Sequence, residues 1–183
     1  MTRWDLGIFR WINHWPEEWS PFFVFMSTAL DDRVVRFALL AVLVVMGIRS
    51  PKARTAILLA LIAFPLANEV TDFLKASFPD PRPFQVLTDT LVRVGRSDSM
   101  GTASAHSANT AAVATLMTFH LKWWATPWVF ISVFTGLSRI YGGAHFPGQV
   151  ILGWTVGIAM ACLVQLGYVL ILRERKKRKE QAN

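Results

Sequence analysis

Residues 140–172 read IYGGAHFPGQVILGWTVGIAMACLVQLGYVLIL and contain no Asp, Glu, Lys or Arg over 33 positions. A soluble domain of 183 residues does not present a charge-free run of this length, whereas a helix that crosses a bilayer needs about 20 mostly apolar residues. Outward from this run lie four further charge-free stretches, at 37–48, 55–68, 99–121 and 123–138. The sequence therefore predicts an all-α, multi-pass membrane helical bundle.

The composition and the position of the charges exclude several other classes of protein. Apolar residues make up 53% of the chain, which excludes disordered and collagen-like chains. The single cysteine, Cys162, lies in an apolar run, so the sequence predicts neither a disulfide scaffold nor a cysteine-based metal cluster. The net charge of +7 comes largely from residues 173–180, which carry six basic and two acidic side chains. A basic run directly after an apolar segment is typical of a cytoplasmic tail on anionic lipids and does not indicate a nucleic-acid partner.

Six membrane spans and one interfacial segment account for the hydropathy pattern. We place the spans at about 18–30, 34–48, 55–74, 104–121, 125–140 and 148–172. Residues 1–17 form an amphipathic interfacial segment, whose charged residues exclude a cleavable signal peptide. Residues 1–172 are thus predicted to form a single membrane-embedded domain, and residues 173–183 a basic cytoplasmic tail.

The distribution of Lys and Arg predicts the orientation in the membrane. If there are six spans and both termini are cytoplasmic, twelve basic residues lie on the inner side and seven on the outer side. This arrangement satisfies the positive-inside rule. The outer loops are then 75–103 and 139–147, which face the periplasm or the outside of a cell (inner) membrane.

The first outer loop begins with the polar and rigid segment 75–83, which reads KASFPDPRP. Its three prolines forbid a helix and stiffen the chain. Asn68, Asp72 and Lys75 share one face of the preceding helix, and ionisable groups at the end of a membrane helix often line a polar cavity. The alternative interpretation is a snorkelling lysine followed by a rigid loop.

The same loop ends in the segment 101–110, GTASAHSANT, which leads directly into the fourth predicted span. Ser104 is a good N-cap, and the free amides of a helix N-terminus form a ready anion site. His106 would lie in the first turn of this helix. The alternative is that these small residues serve only close helix packing, which accounts for the alanines but not for the histidine.

The third polar segment is 138–149, SRIYGGAHFPGQ. Gln149 lies four residues after His145, so its amide can reach the imidazole if a helix begins here. The three segments together bring two histidines, two arginines and one lysine to one side of the bundle: His106, His145, Arg82, Arg139 and Lys75. This combination suits a phosphate group, with cations for its oxygens, one histidine to attack and another to protonate the leaving oxygen.

The order Lys75-x6-Arg82-Pro83, then Ser104-x-His106, then Ser138-Arg139-x5-His145 resembles the three-part signature of the type 2 phosphatidic acid phosphatase family over roughly residues 68–155. The resemblance implies a six-helix membrane phosphatase that needs no metal or other cofactor and forms a phosphohistidine intermediate. It also implies that His145 is the nucleophile and His106 the general acid. The residues that it implies for binding the phosphate are Lys75, Arg82 and Arg139, aided by Ser104 and the adjacent amide of Ala105.

The chain departs from the family pattern in two places. The second motif usually has Pro and Gly where this chain has Ala103 and Ala105, which reduces rigidity but keeps both functional side chains. Gln149 stands where most members carry an aspartate that orients the nucleophile, although the glucose-6-phosphatase branch also has a glutamine there. A glutamine carbonyl can accept from Nδ1–H and so select the tautomer, but it adds no charge. Asp89 or Asp98 in the loop are candidates for the missing carboxylate.

These observations predict an outward-facing phosphatase of a lipid phosphate or diphosphate. The substrate candidates that the resemblance implies are undecaprenyl diphosphate, phosphatidylglycerol phosphate and phosphatidic acid, with lipid A phosphates as a further class. Two alternatives remain open at the level of sequence. If a lipid hydroxyl replaces water, the protein is a phosphotransferase of the same fold, and if Gln149 marks decay, it is a catalytically silent scaffold.

Overall fold

The computed structural model describes residues 2–181 and is entirely helical over that range, with no strand. Eight α-helices follow one another in the described chain: α1 (Arg3–Asn13), α2 (Ser20–Thr28), α3 (Arg33–Arg49), α4 (Pro51–Ser77), α5 (Pro83–Val86), α6 (Ala105–Leu121), α7 (Thr126–Tyr141) and α8 (Pro147–Gln181). Short 3-10 turns cover 17–19, 29–31 and 122–125. The prediction of an all-α bundle is confirmed. Residues 1, 182 and 183 of the predicted terminal segments lie outside the described residues.

Helix α6 is the centre of the bundle, with α4, α7 and α8 packed around it. Its contact with α4 is made by small side chains: Ala60 and Ala63 on α4 form a buried cluster with Ala112 and Leu116 on α6. Alanine lets helix backbones approach closely, which is the main source of packing energy where lipid removes the hydrophobic driving force. The run of small residues in 103–114 therefore has a structural role, as the packing alternative predicted.

Two glycines on α8 bring that helix directly against α6. A Cβ on Gly153 would lie 2.4 Å from the carbonyl oxygen of Ser104, and a Cβ on Gly157 would lie 2.0 Å from that of Ala108. Both distances are far below van der Waals contact, so only glycine fits at either crossing point. The GxxxG spacing of 153–157 is the known pattern for such close helix crossings in membranes.

Two helices of the described chain are long and apolar enough to cross a membrane, Pro51–Ser77 and Pro147–Gln181. Helices α3, α6 and α7 have 16 or 17 residues and are about 24–26 Å long at 1.5 Å per residue, close to the hydrocarbon thickness. The predicted span 18–30 coincides with α2, a helix of nine residues, and with the 3-10 turns on either side of it at 17–19 and 29–31. The count of six spans is not confirmed, because two helices of the described chain meet the length and hydropathy expected of a span.

The amino-terminal helix α1 lies at the end of the bundle where α7 turns into α8. Asn13 is fully buried, and its side-chain amide donates to the carbonyls of Leu91 and Tyr141 at 2.9 and 2.8 Å. The buried carboxylate of Asp5 accepts a 2.8 Å hydrogen bond from the backbone N–H of Gly148 at the start of α8. Helix α1 is therefore joined by hydrogen bonds to the loop before α6, to the end of α7 and to the start of α8.

Helix α2 packs at the same end of the bundle, against α7. Phe23 stacks on Tyr141 with ring centroids 4.8 Å apart, and Ser27 contacts Arg139. Helix α8 runs away from this end for 35 residues, so the basic segment 173–181 lies at the opposite end. The aromatic residues of α2 cover α7 at this end, and the prediction that both termini share one side stays a prediction.

Candidate active site

Hydrogen bonds join the two ends of the long loop between α4 and α6. The N–H of Gly101 donates to the carbonyl of Asp80 at 2.7 Å, and the hydroxyl of Thr102 donates to the carbonyl of Phe78 at 2.7 Å. The N–H of Asp80 returns a 3.0 Å hydrogen bond to the Thr102 hydroxyl. The segments 75–83 and 101–110, which are separate motifs in the sequence, therefore lie together at one end of the bundle.

His145 lies in the turn between α7 and α8, outside the membrane-spanning helices, and is 2% exposed. Gly143 makes this turn possible, since its φ of +75° belongs to the left-handed region. The Nδ1 atom of His145 lies 3.1 Å from the carbonyl of Gly101 and 3.1 Å from Oε1 of Gln149. Because both partners are acceptors, Nδ1 must carry the proton. The lone pair of the neutral ring is therefore on Nε2.

The contact on the other side of the ring agrees with this tautomer. Arg82 directs Nη1 to Nε2 of His145 at 3.1 Å, and a guanidinium can only donate. Burial lowers the pKa of His145 well below its ordinary value, and the positive charges of Arg82 and Arg139 lower it further. His145 is thus a neutral imidazole at pH 7, with its nucleophilic nitrogen next to a cation.

Gln149 occupies the first turn of α8 and is 4% exposed. Its Nε2 donates to Oδ2 of Asp80 at 2.7 Å and to the carbonyl of Pro81 at 2.9 Å. Its Oε1 accepts from the N–H of Phe146 at 3.2 Å. These partners determine the amide orientation, because exchanging O and N would place acceptor against acceptor and donor against donor.

Arg82 is buried and ties the loop to the histidine turn. Its Nε donates to the carbonyl of Ser99 at 2.7 Å, and its Nη2 to the hydroxyl of Ser99 at 2.9 Å. Its Nη1 also reaches the carbonyl of Ala144 at 3.2 Å. Arg82 therefore supports the site as well as supplying a charge to it, a structural role that the sequence did not predict.

Arg139 ends α7 and is 8% exposed. Its Nη1 donates to the hydroxyl of Ser27 at 2.5 Å. Its Nε is buried and makes no hydrogen bond within the part of the chain that the structure describes. A buried guanidinium donor that lacks a partner is costly, and an anion at this end of the bundle would satisfy it.

Helix α6 begins beside these groups. The hydroxyl of Ser104 caps it by accepting from the N–H of Ser107 at 3.4 Å, and the N–H of Ser104 donates to the carbonyl of Gln149 at 3.0 Å. Ala105, at the first position of α6, is half-buried. Ser104 is fully buried, and its hydroxyl oxygen also accepts from the hydroxyl of Ser107 at 3.0 Å, so it holds the start of α6 in place.

His106 and Lys75 lie at the rim of the same region. The side chain of His106 is exposed and interacts electrostatically with the charges of Arg139, Arg82 and Lys75. Lys75 is paired with Asp72 at 2.8 Å. The structure thus joins His145, Gln149 and Arg82 by direct hydrogen bonds and places Arg139, His106 and Lys75 around them.

Neither carboxylate suggested from the sequence contacts His145. Asp89 pairs with Arg10 at 2.8 Å, and Asp98 is an exposed loop residue. The carboxylate nearest to this arrangement belongs to Asp80, which accepts from Gln149. The sequence pattern did not indicate it, although it lies two positions before Arg82. Within residues 2–181, no three His, Cys, Asp or Glu side chains form a group that could hold a metal ion.

The fold and the site define a helical bundle that presents a neutral, oriented histidine and buried cations at one end. The chain matches the PAP2 superfamily over residues 53–171 and belongs to it. It is similar to the crystal structure of Aquifex aeolicus LpxE, with a TM-score of 0.75 and 25% identity, covering 90% of this chain and 96% of that one.

Two further relatives agree with this assignment. The structure of a transmembrane PAP2-type phosphatidylglycerolphosphate phosphatase from Bacillus subtilis has a TM-score of 0.62 and covers 91% of this chain and 85% of that one. Its 23% identity makes it evidence for the fold alone. The bacitracin transport permease protein BcrC of Bacillus licheniformis is 24% identical over 163 residues, which cover 87% of this chain and 78% of that protein. The match to the PAP2 superfamily supports a membrane lipid phosphate phosphatase, and the two solved structures agree with it in fold.

Proposed function

We propose that the chain hydrolyses a lipid phosphate or diphosphate at the outer face of the membrane through a phosphohistidine on Nε2 of His145. One observation carries the proposal. The ring of His145 is held as the Nδ1–H tautomer by Gly101 and Gln149, while its Nε2 lies beside the guanidinium of Arg82. A nucleophile needs a free lone pair on the attacking atom and cations near the phosphoryl oxygens.

In the first step, the Nε2 lone pair forms a bond to phosphorus and the bond from phosphorus to the lipid-side oxygen breaks. The bonding electrons go to that oxygen, which takes a proton from His106. The imidazolium form that this transfer requires is favoured by the negative charge of the bound phosphate. The N–H of Arg82 that lies on Nε2 turns to a phosphoryl oxygen as the new bond forms. Nε of Arg139, which has no other partner in the described chain, donates to a second oxygen.

In the second step, water gives a proton to the now neutral His106 and attacks phosphorus. The N–P bond breaks, its electrons return to Nε2, and inorganic phosphate leaves. His106 is again protonated and His145 again neutral, so the cycle closes with no other reactant. Lys75 contributes positive charge at the rim once it exchanges Asp72 for a phosphate oxygen. The protein needs no metal for these steps, so we expect turnover to continue in EDTA.

The experiment is phosphate release in detergent from a panel of undecaprenyl diphosphate, phosphatidylglycerol phosphate, phosphatidic acid and lipid A. We expect release from at least one lipid and, when turnover of a phosphate-labelled lipid is quenched in alkali, label on the protein that is stable to alkali and lost in acid. His145→Ala abolishes both signals, because no other side chain occupies the position of Nε2. His120→Ala is the matched control, since His120 lies at the far end of α6 and bonds to Gln165 at 2.9 Å.

Three results would contradict the proposal. They are no release from any lipid of the panel, label that persists in His145→Ala, and phosphate transfer between two lipids without free phosphate. The last result would establish the phosphotransferase.

A further inference from the structure

The side chain of Gln149 bridges the imidazole of His145 and the half-buried carboxylate of Asp80. Oε1 accepts from Nδ1–H of His145 at 3.1 Å, and Nε2 donates to Oδ2 of Asp80 at 2.7 Å. Gln149 belongs to α8 and Asp80 to the loop after α4, 69 residues away in sequence. Three functional groups thus stand in a row, with a negative charge at the end away from the nucleophilic nitrogen.

We propose that Asp80 is a positioning residue for His145, acting through Gln149 in place of the aspartate that directly orients the histidine in most relatives. The inference rests on the function proposed above and assigns the carboxylate that the motif lacks. Asp80 does not touch the phosphate or the reacting nitrogen in this arrangement.

The physical reason is the chain of hydrogen bonds. A carboxylate that accepts from an amide N–H draws electron density toward the amide oxygen and makes that oxygen a stronger acceptor, since bonds in such chains reinforce one another. Positive charge develops on the ring of His145 as Nε2 bonds to phosphorus, and the proton on Nδ1 becomes more acidic. A stronger acceptor on that proton stabilises the transition state more than the ground state, so the gain falls on kcat.

The backbone of Asp80 is held in place independently of its carboxylate. Its N–H donates to the hydroxyl of Thr102 at 3.0 Å, and its carbonyl accepts from the N–H of Gly101 at 2.7 Å. These hydrogen bonds hold the backbone from which Oδ2 reaches the amide of Gln149. The side-chain amide of Gln149 also donates from its Nε2 to the carbonyl of Pro81. This second hydrogen bond keeps the amide oriented when the charge on residue 80 is removed. The charge can therefore be tested without losing the geometry.

The decisive variant is Asp80→Asn, which keeps the shape and an acceptor oxygen but removes the charge. Groups that orient a histidine through its second nitrogen contribute about 10- to 100-fold, and we expect kcat to fall by that amount with KM within about threefold. Label on His145 should form more slowly by the same factor. The matched control is Asp89→Asn, the same substitution in the same loop at an exposed ion pair with Arg10, which should stay within about twofold of wild type.

Two double variants test whether Asp80 acts on His145 through Gln149, an arrangement called the relay below, or has only a local structural effect. Asp80→Asn with Gln149→Asp places a carboxylate directly on Nδ1–H, and we expect kcat to return to within about fivefold of wild type. Asp80→Asn added to Gln149→Leu should cost nothing more, since the leucine has already cut the connection between residue 80 and the ring. This second comparison holds even if Asp80→Asn alone lowers the yield of folded protein.

The outcomes distinguish the two proposals. If wild type releases no phosphate from any lipid, the proposed function fails. If wild type turns over and Asp80→Asn matches it, the relay is wrong. The relay is also wrong if Asp80→Asn raises KM and leaves kcat unchanged. It is wrong if adding Asp80→Asn to Gln149→Leu lowers kcat further, or if adding Gln149→Asp to Asp80→Asn fails to restore kcat.

Discussion

His145 illustrates how three hydrogen bonds decide the chemistry of a single side chain. The ring has acceptors on one nitrogen and a donor on the other, which leaves one possible tautomer for the neutral form. The usual aspartate would achieve the same with a charge next to the ring. Here Gln149 achieves it without a charge, so burial and the neighbouring arginines keep the ring neutral over a wider range of pH.

The pH dependence of turnover should report this difference. Burial, Arg82 and Arg139 lower the pKa of His145, so the neutral nucleophile persists below pH 6.5, the ordinary value for histidine, and we expect the acid limb of kcat/KM below that pH. Gln149→Asp adds a carboxylate beside the ring and favours the imidazolium, which moves the limb to higher pH. Both enzymes are measured with one lipid, so that the ionisation of the substrate cancels. A limb that stays in place or moves to lower pH would contradict this explanation.

At the scale of the elements, the charge-free runs predicted the long helices well. The spans 125–140 and 148–172 correspond to α7 at Thr126–Tyr141 and to the apolar part of α8. The span 18–30 stays a prediction, because hydropathy cannot tell an aromatic face that packs on α7 from one that faces lipid. The contact between Asp80 and Gln149 could not be predicted either, because it depends on how loop residues 78–102 fold back on themselves, and periodicity says nothing about that.

The close crossing of α6 and α8 was not predicted from the sequence either. Adding one methyl group at the crossing tests it. Gly157→Ala would place its Cβ 2.0 Å from the carbonyl oxygen of Ala108, and we expect a loss of about 1–3 kcal/mol from overpacking. Gly167→Ala is the control on the same helix, because a Cβ there meets nothing within 4 Å and alanine favours helix over glycine. Thermal unfolding in detergent should therefore fall for the first variant and stay level or rise for the second. Equal melting temperatures would mean that the crossing is looser than described.

At the scale of the whole molecule, the arrangement of the ends determines how the protein sits in the membrane. Helix α1 is fastened to the site loops through Asn13 and Asp5, while α8 carries the basic tail to the other end. If α2 does not cross, Arg3 and Arg10 join the outer side, and the basic residues divide ten inside to nine outside. The remaining excess of basic residues on the inner side comes from the tail. The positive-inside rule applies to these charges because they directly follow a span. A cytoplasmic tail then places the site and the amino-terminal helix outside.

Labelling of single cysteines tests this topology directly. In a Cys162→Ser background, Glu18→Cys and Asp98→Cys put thiols at exposed positions near α1 and in the site loop, and Gln181→Cys puts one at the end of the tail. We expect a membrane-impermeant maleimide to label positions 18 and 98 in intact cells and position 181 only after permeabilisation, in variants that still release phosphate. Six spans would instead protect position 18 together with position 181. Labelling of position 181 alone in intact cells would place the site on the cytoplasmic side, because the tail and the site loop lie at opposite ends of the same helix.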